Sequence, residues 1–146
     1  MDDSITNDQD DVIARSIDFG FKPTLEHLST ALIDGSDDCA ALLIPAIEGF
    51  EVNTPFEVYG GEFTGTEKPA LFHAAWNFMP RTVRLLIDMN ADVHYADEQG
   101  TTAAHIAAEH SENGDISDIM ALLQAAGADM NALDQFGNTP TGMWKI

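Results

Sequence analysis

The segment Ala91-Asp92-Val93-His94-Tyr95-Ala96-Asp97 returns 37 residues later as Ala128-Asp129-Met130-Asn131-Ala132-Leu133-Asp134. A Gly-x-Thr signal follows each copy, first as Gly100-Thr101-Thr102 and then as Gly137-Asn138-Thr139. Self-similarity at a fixed period of this size constrains the fold more than any other feature of the chain. Each unit is one supersecondary element that cannot bury its apolar face alone, so the copies must stack on one another.

Periodicity says what the unit contains. Leu71, Ala74 and Ala75, then Val83, Leu86 and Ile87, recur at the three- and four-residue spacings of a helix face, which predicts two short amphipathic helices per copy. The alanine pairs let helices and neighbouring copies approach closely. Gly100, Gly127 and Gly137 fall where the chain leaves a helix or turns, and Thr102 and Thr139 stand at helix N-cap positions.

Upstream of Pro69 the pattern is degenerate. Leu25, Leu28, Leu32 and Ile33 fit a first helix, and Ile44 through Asn53 fit a second helix and turn, with Glu51-Val52-Asn53 in register with Asp92-Val93-His94. Pro45 should shorten or kink that second helix, because it removes a backbone donor and crowds the preceding turn. Asp11 to Phe19, closed by Gly20, reads as an N-terminal capping helix with Val12, Ile13 and Ile17 inward. After that turn, Phe56-Glu57-Val58-Tyr59, Gly60-Gly61 and Glu62-Phe63-Thr64 alternate about a glycine pair, which predicts a protruding β-hairpin with a two-residue turn, its aromatics either projecting from the edge or, for Phe56 and Phe63, folding back to cover the neighbouring repeat.

The wording of the repeat resembles the ankyrin family. Gly100-Thr101-Thr102-Ala103-Ala104-His105-Ile106-Ala107-Ala108 is similar to that family's Gly-x-Thr-Pro-Leu-His-x-Ala-Ala, with alanines replacing proline and leucine. Leu122-Leu123 and Ala126-Gly127-Ala128-Asp129 match its second helix and following turn, and Pro69 to Val93 keeps the same spacing with Phe72 in the histidine position. The second copy carries about four extra residues, absorbed by Ser111-Glu112-Asn113-Gly114. The resemblance implies an all-α repeat, an ankyrin solenoid of about three to four helix-turn-helix units with a β-hairpin insertion, in one domain. Its parts are a cap helix at 1–23, a degenerate repeat at 24–53, the hairpin at 54–67, repeats at 68–99 and 100–136, and a C-terminal cap at 137–146.

Charge narrows the partners. Six basic residues against 25 acidic ones give a net charge of −19. The excess is uneven, with 15 acidic and two basic groups in residues 1–67 and ten and four in residues 68–146. Such a field repels nucleic acid and anionic membranes and speeds encounter with basic proteins. Met1-Asp2-Asp3-Ser4 has neither the positive start nor the apolar run of a secretory signal, and the single Cys39 offers no internal disulfide, so the expected compartment is a reducing cytoplasm.

No catalytic residue, metal site or cofactor is expected. His105, Glu109 and His110 stand in the order His-x3-Glu-His, not the His-Glu-x-x-His that sets two ligands one turn apart, and the resemblance assigns His105 to hydrogen bonding within the turn. Asp129 through Asp134 opens like a calcium loop, but its sixth position is Asp134 and its twelfth is Pro140. His27, His73, His94 and His110 are dispersed and are expected in packing or at the surface. Arg81 and Arg84 are expected to pair with nearby carboxylates.

Members of the resembling family hold protein partners on the face formed by hairpin tips and first helices. Carried onto this sequence, that surface comprises Tyr95, Glu98, Gln99 and Thr101 on one tip, Leu133, Gln135 and Phe136 on the next, and Trp76, Asn77, Phe78, Glu109 and His110 on the first helices, with Phe56, Tyr59 and Glu62 on the hairpin. Trp76 and Tyr95 are the aromatic anchors expected from rigid contact area. The implied activity is capture of a basic protein partner, most concretely neutralisation of a bacterial toxin enzyme by an immunity protein. Two other classes stay open: a DNA mimic inhibiting a nucleic-acid-binding defence or restriction enzyme, and a scaffold or chaperone for a host enzyme.

Overall fold

Two hydrogen-bonded devices, a capping residue at one end and a left-handed residue at the other, cut this chain into short helices. The structure is a computed structural model, and it describes residues 15–57, 67–109 and 116–143. The helices are α1 (Leu25–Asp34), α2 (Asp37–Ala46), α3 (Ala70–Trp76), α4 (Pro80–Asp88), α5 (Ala103–Glu109), α6 (Ser117–Ala125) and α7 (Pro140–Met143). Two short strands, β1 (Phe56–Glu57) and β2 (Glu67–Lys68), pair antiparallel between α2 and α3.

Caps explain where helices begin. Thr24 precedes α1, its backbone N–H donates to His27 Nδ1 at 3.0 Å, and its hydroxyl answers the N3 amide, completing a capping box. Thr102 and His105 repeat the device at α5, with Thr102 N–H 3.2 Å from His105 Nδ1. His27 is therefore the counterpart of His105, a correction to the expectation that it serves only packing or solvent contact. α4 has no capping side chain of its own, since Met79 precedes Pro80. A neighbouring repeat supplies one. Asp37 Oδ2 accepts from Arg81 N–H at 2.9 Å, and Asp37 Oδ1 accepts from Thr82 N–H and the Thr82 hydroxyl, both at 2.8 Å.

Packing follows from residue size. α1 pairs with α2, α3 with α4 and α5 with α6; α1, α3, α5 and α7 then line up as one row and α2, α4 and α6 as another. Between first helices the buried side chains are mostly alanine, at positions 70, 74, 75, 103, 104, 107 and 108, so these helices sit close. The second helices contribute the larger groups: Leu43 and Ile44, Val83 and Leu86, then Ile119, Met120 and Leu123. Full burial of each large side chain stabilises by about 1.5–3 kcal/mol, and no single repeat could bury them alone. Cys39 is buried as a small apolar group in this row.

Two sequence expectations are corrected. The second helix of the first repeat begins at Asp37, not near Ile44. Asp37-Asp38-Cys39-Ala40-Ala41 is helical because its apolar members meet α4, while Pro45 stands at the penultimate helical position and Ile47 turns extended. The hairpin does not take the register of a two-residue Gly60-Gly61 turn, which would set Phe56 opposite Gly65. Phe56 is opposite Lys68 and Glu57 opposite Glu67, while the glycine pair and Glu62-Phe63-Thr64 lie outside the described residues. At the N-terminus residues 15–18 are helical, Gly20 has φ 101° and Ile17 is half-buried; positions 11–14 of the expected cap helix, Val12 and Ile13 among them, lie outside the described residues.

Candidate functional site

The edge of the stack is built from turns that repeat atom by atom. Asp97 Oδ1 accepts from the amides of Gln99 and Thr101, and Asp134 Oδ1 accepts from those of Phe136 and Asn138, all at 2.9 Å. Asp97 N–H donates to Thr101 O at 3.0 Å and Asp134 N–H to Asn138 O at 3.1 Å, closing each tip. The carboxylates therefore organise loops. Burial pushes the Asp97 carboxyl up, but the hydrogen bonds from Lys68, Thr101 and Gln99 outweigh it and hold the group below its ordinary value. The Asn138 amide lowers the Asp134 carboxyl, with further lowering from Phe136 working against desolvation.

In this register Phe56 and Lys68 occupy the positions of Asp97 and Thr101. Three residues, 98–100, lie between the latter pair and eleven, 57–67, between the former, so the insertion is an enlarged tip.

Tips are bound to one another along the edge. Gln135 N–H donates to Gln99 O at 2.7 Å. Gly100 has φ 77°, and a Cβ there would lie 3.1 Å from Asp134 Cα, so both the left-handed backbone and the close stacking require glycine. Thr102 N–H can only donate, which makes His105 Nδ1 the acceptor and places the ring proton on Nε2, 3.0 Å from Asn138 O. One histidine thus caps its own helix and holds the next tip. Where Phe72 replaces that histidine, Lys68 Nζ meets Asp97 Oδ2 at 2.9 Å, with side chains only 16 % and 11 % exposed, and Tyr95 packs edge-on against Phe72 at 5.5 Å.

His73, beside Phe72, lies under the root of the enlarged tip. It is buried, its ring centroid is 5.3 Å from that of Phe56, and it contacts the backbones of Phe56 and Lys68. Burial is the largest influence and lowers its pKa from 6.5 to about 4; the backbone hydrogen bonds oppose this, and the Lys68 charge adds to it. Because the folded value lies below the unfolded one, His73's contribution is complete above about pH 6.5 and is lost as pH falls towards 4. The expected loss is roughly 2–3 kcal/mol, read from urea midpoints across that range. His73→Phe should flatten this slope, and a slope unchanged by the substitution would exclude His73 as its source.

The proposed contact residues divide into two groups. Glu98, Gln99, Gln135 and Phe136 are exposed on the tips, and Glu109 is exposed at the end of α5. Phe136 is 75 % and Leu133 66 % exposed. Tyr95, Trp76, Phe78 and Phe56 are instead half-buried and packed against the core. The Phe56 ring rests on His73, so of the two arrangements open to it this side chain folds back and does not project. Asn77 and Phe78 do not belong to a first helix; α3 ends at Trp76, Asn77 caps it, and Phe78 takes φ 56° in the turn. Tyr59, Glu62 and His110 lie outside the described residues.

The roles missed were those of Asp37, Lys68, Asn53 and His27, and only His27 left a readable signal, since Thr24-x-x-His27 repeats Thr102-x-x-His105. Arg81 pairs with Asp38, 43 residues away, a carboxylate that the expected pairing of Arg81 did not name. Among the described residues no group of three or more His, Cys, Asp or Glu side chains could hold a metal, and no helix is long and apolar enough to cross a membrane.

Comparison with protein families matches residues 27–134 to the one described as ankyrin repeats, three copies. Comparison with curated proteins finds no match.

Proposed function

The chain belongs to the ankyrin repeat family of protein-interaction modules, and from that premise we propose that it captures a basic partner protein on its tip edge, in the concrete form of an immunity protein neutralising a bacterial toxin enzyme. The observation that carries this reading is the last tip. Leu133 and Phe136, two large apolar side chains three residues apart, are both mostly exposed on a chain of net charge −19. Aromatic groups on a hydrogen-bonded loop lose little freedom on binding, so such a pair is suited to anchor a partner, while surrounding carboxylates accelerate encounter. The half-buried Trp76 and Tyr95 are poorer anchors, because truncating them would disturb the stack.

The DNA-mimic reading has less support. Asp37 caps α4, Asp38 pairs with Arg81, and Asp97 and Asp134 fold tips, so several carboxylates face their own chain rather than an open stripe.

Affinity capture from native lysate, washed at low and then high salt, tests the proposal. A single stoichiometric basic partner should survive high salt, and Phe136→Ala with Leu133→Ala should weaken its binding at least about tenfold, since each anchor contributes on the order of 1–2 kcal/mol. Recovery of DNA-handling proteins alone, released as salt rises, would favour the mimic. Full-strength binding by the double variant would remove the tip from the interface.

A further inference from the structure

At one junction of the solenoid, two turns are joined by a side-chain carboxamide. Asn53, after α2, accepts Asp92 N–H at Oδ1 (2.7 Å) and reaches Asn90 O through Nδ2 (3.4 Å). Asn90 and Asp92 correspond in the repeat to Gly49 and Glu51, and Asn90 and Gly49 share the left-handed conformation at φ 71° and 76°. In the interior, the turn at 90–92 is met by the turn before it. Among the described residues no earlier turn meets the one at 49–51, which instead borders a groove of about 210 Å³.

Leu25, Ile47, Phe50 and Phe56 give this groove apolar walls; at its margin stand Glu48, whose exposed carboxylate lies 3.7 Å from Lys22 Nζ, and Glu51, which accepts from the Thr54 hydroxyl at 3.1 Å and, among the described residues, keeps its charge without a cation. Leu25 is 43 % exposed at the groove.

We propose that this groove docks an extended segment of a basic partner protein, with a carboxamide side chain against Gly49 and Glu51 as Asn53 lies against Asn90 and Asp92, and an apolar side chain against Leu25. Continuity with the turn-to-turn contact supplies the geometry. Charge selects the occupant: a second copy brings another −19 and is repelled as a whole, while a basic segment is drawn to the acidic chain and to Glu51 at the margin. The inference rests on the basic partner proposed above and adds a second place of contact and the chemistry recognised there.

The test is amide NMR of the full chain with the synthetic peptide acetyl-Lys-Leu-Asn-Lys-Leu-Lys-amide, and with a version of equal charge in which leucine replaces asparagine. Saturable shifts are expected at Gly49, Glu51 and Thr54. Affinity should fall about fivefold or more for the leucine peptide and for Leu25→Glu. Equal affinity for the two peptides, or indifference to Leu25→Glu, would overturn the groove. Shifts confined to 98–101 and 133–138 would also overturn it while leaving the tip-edge function intact, and silence at both places would count against both proposals. If the peptide shifts Gly49 and Glu51 only after residues 1–14 are deleted, the slot belongs to the chain's own N-terminus and the inference fails.

Discussion

Asp37→Ala is expected to destabilise the fold by about 2–4 kcal/mol, lowering Tm by roughly 6–15 °C for a chain of this size. The carboxylate accepts from three donors at once, the amides of Arg81 and Thr82 and the Thr82 hydroxyl. Thr82 is fully buried, so truncation strands its amide beyond the reach of water, and each such orphan costs about 1–3 kcal/mol. Asp37→Asn keeps one acceptor oxygen but turns an amide group towards a donor, and should cost about half as much. Asp38→Ala provides the contrast. Its pair with Arg81 has side chains 39 % and 68 % exposed, so its loss should cost no more than about 1 kcal/mol. Equal denaturation midpoints for the Asp37 and Asp38 variants would show that the inter-repeat cap carries little stability. Because Asp37 links the first repeat to the second, its loss should also raise hydrogen exchange in α1 and α2 well above that in α5 and α6.

This dependence also shows where sequence reading stopped. Residues 91–97 and 128–134 give away the repeat because each tip is organised by its own aspartate through contacts two and four residues away, and such local chemistry leaves a local signal. The cap of α4 left none: Asp37 and Thr82 are 45 residues apart, and an aspartate ahead of Asp38-Cys39-Ala40 reads as ordinary surface charge. The start of α2 was misplaced for a related reason. Its buried side chains begin with the small Cys39 and Ala40 ahead of Leu43 and Ile44, so the helical period is faint in its first turn until the contact with α4 is known. At the candidate surface, chain position identified the tips but not which aromatics face outward. Tyr95 turns in because Phe72, standing where His105 stands one repeat later, offers it a ring instead of a hydrogen bond.

The same replacement underlies the other large expected effect. Lys68→Met preserves the packed stem of the side chain but leaves the Asp97 carboxylate, 11 % exposed, without its cation. Breaking a pair this buried should cost about 2–4 kcal/mol, and the loss should change little with added salt, since water and ions hardly reach it. Asp97→Asn strands the ammonium instead and also weakens the tip, so it should be at least as damaging; the double variant should cost less than the two losses summed. Acid titration separates the pair from His73. The Asp97 contribution is present above the ordinary carboxylate value of 3.8 and disappears as pH falls through its lower folded value, whereas the His73 loss begins near 6.5. Lys68→Met should therefore diminish the lowest-pH part of the stability profile and leave most of the fall between 6.5 and 4, softened only by removal of the Lys68 charge beside His73. Loss of the His73 limb in Lys68→Met would mean that the ion pair, rather than burial, keeps that imidazole neutral. At this junction, then, a lysine and an aspartate on neighbouring tips do what His105 and Asn138 do at the next, joining the enlarged tip to the rest of the edge.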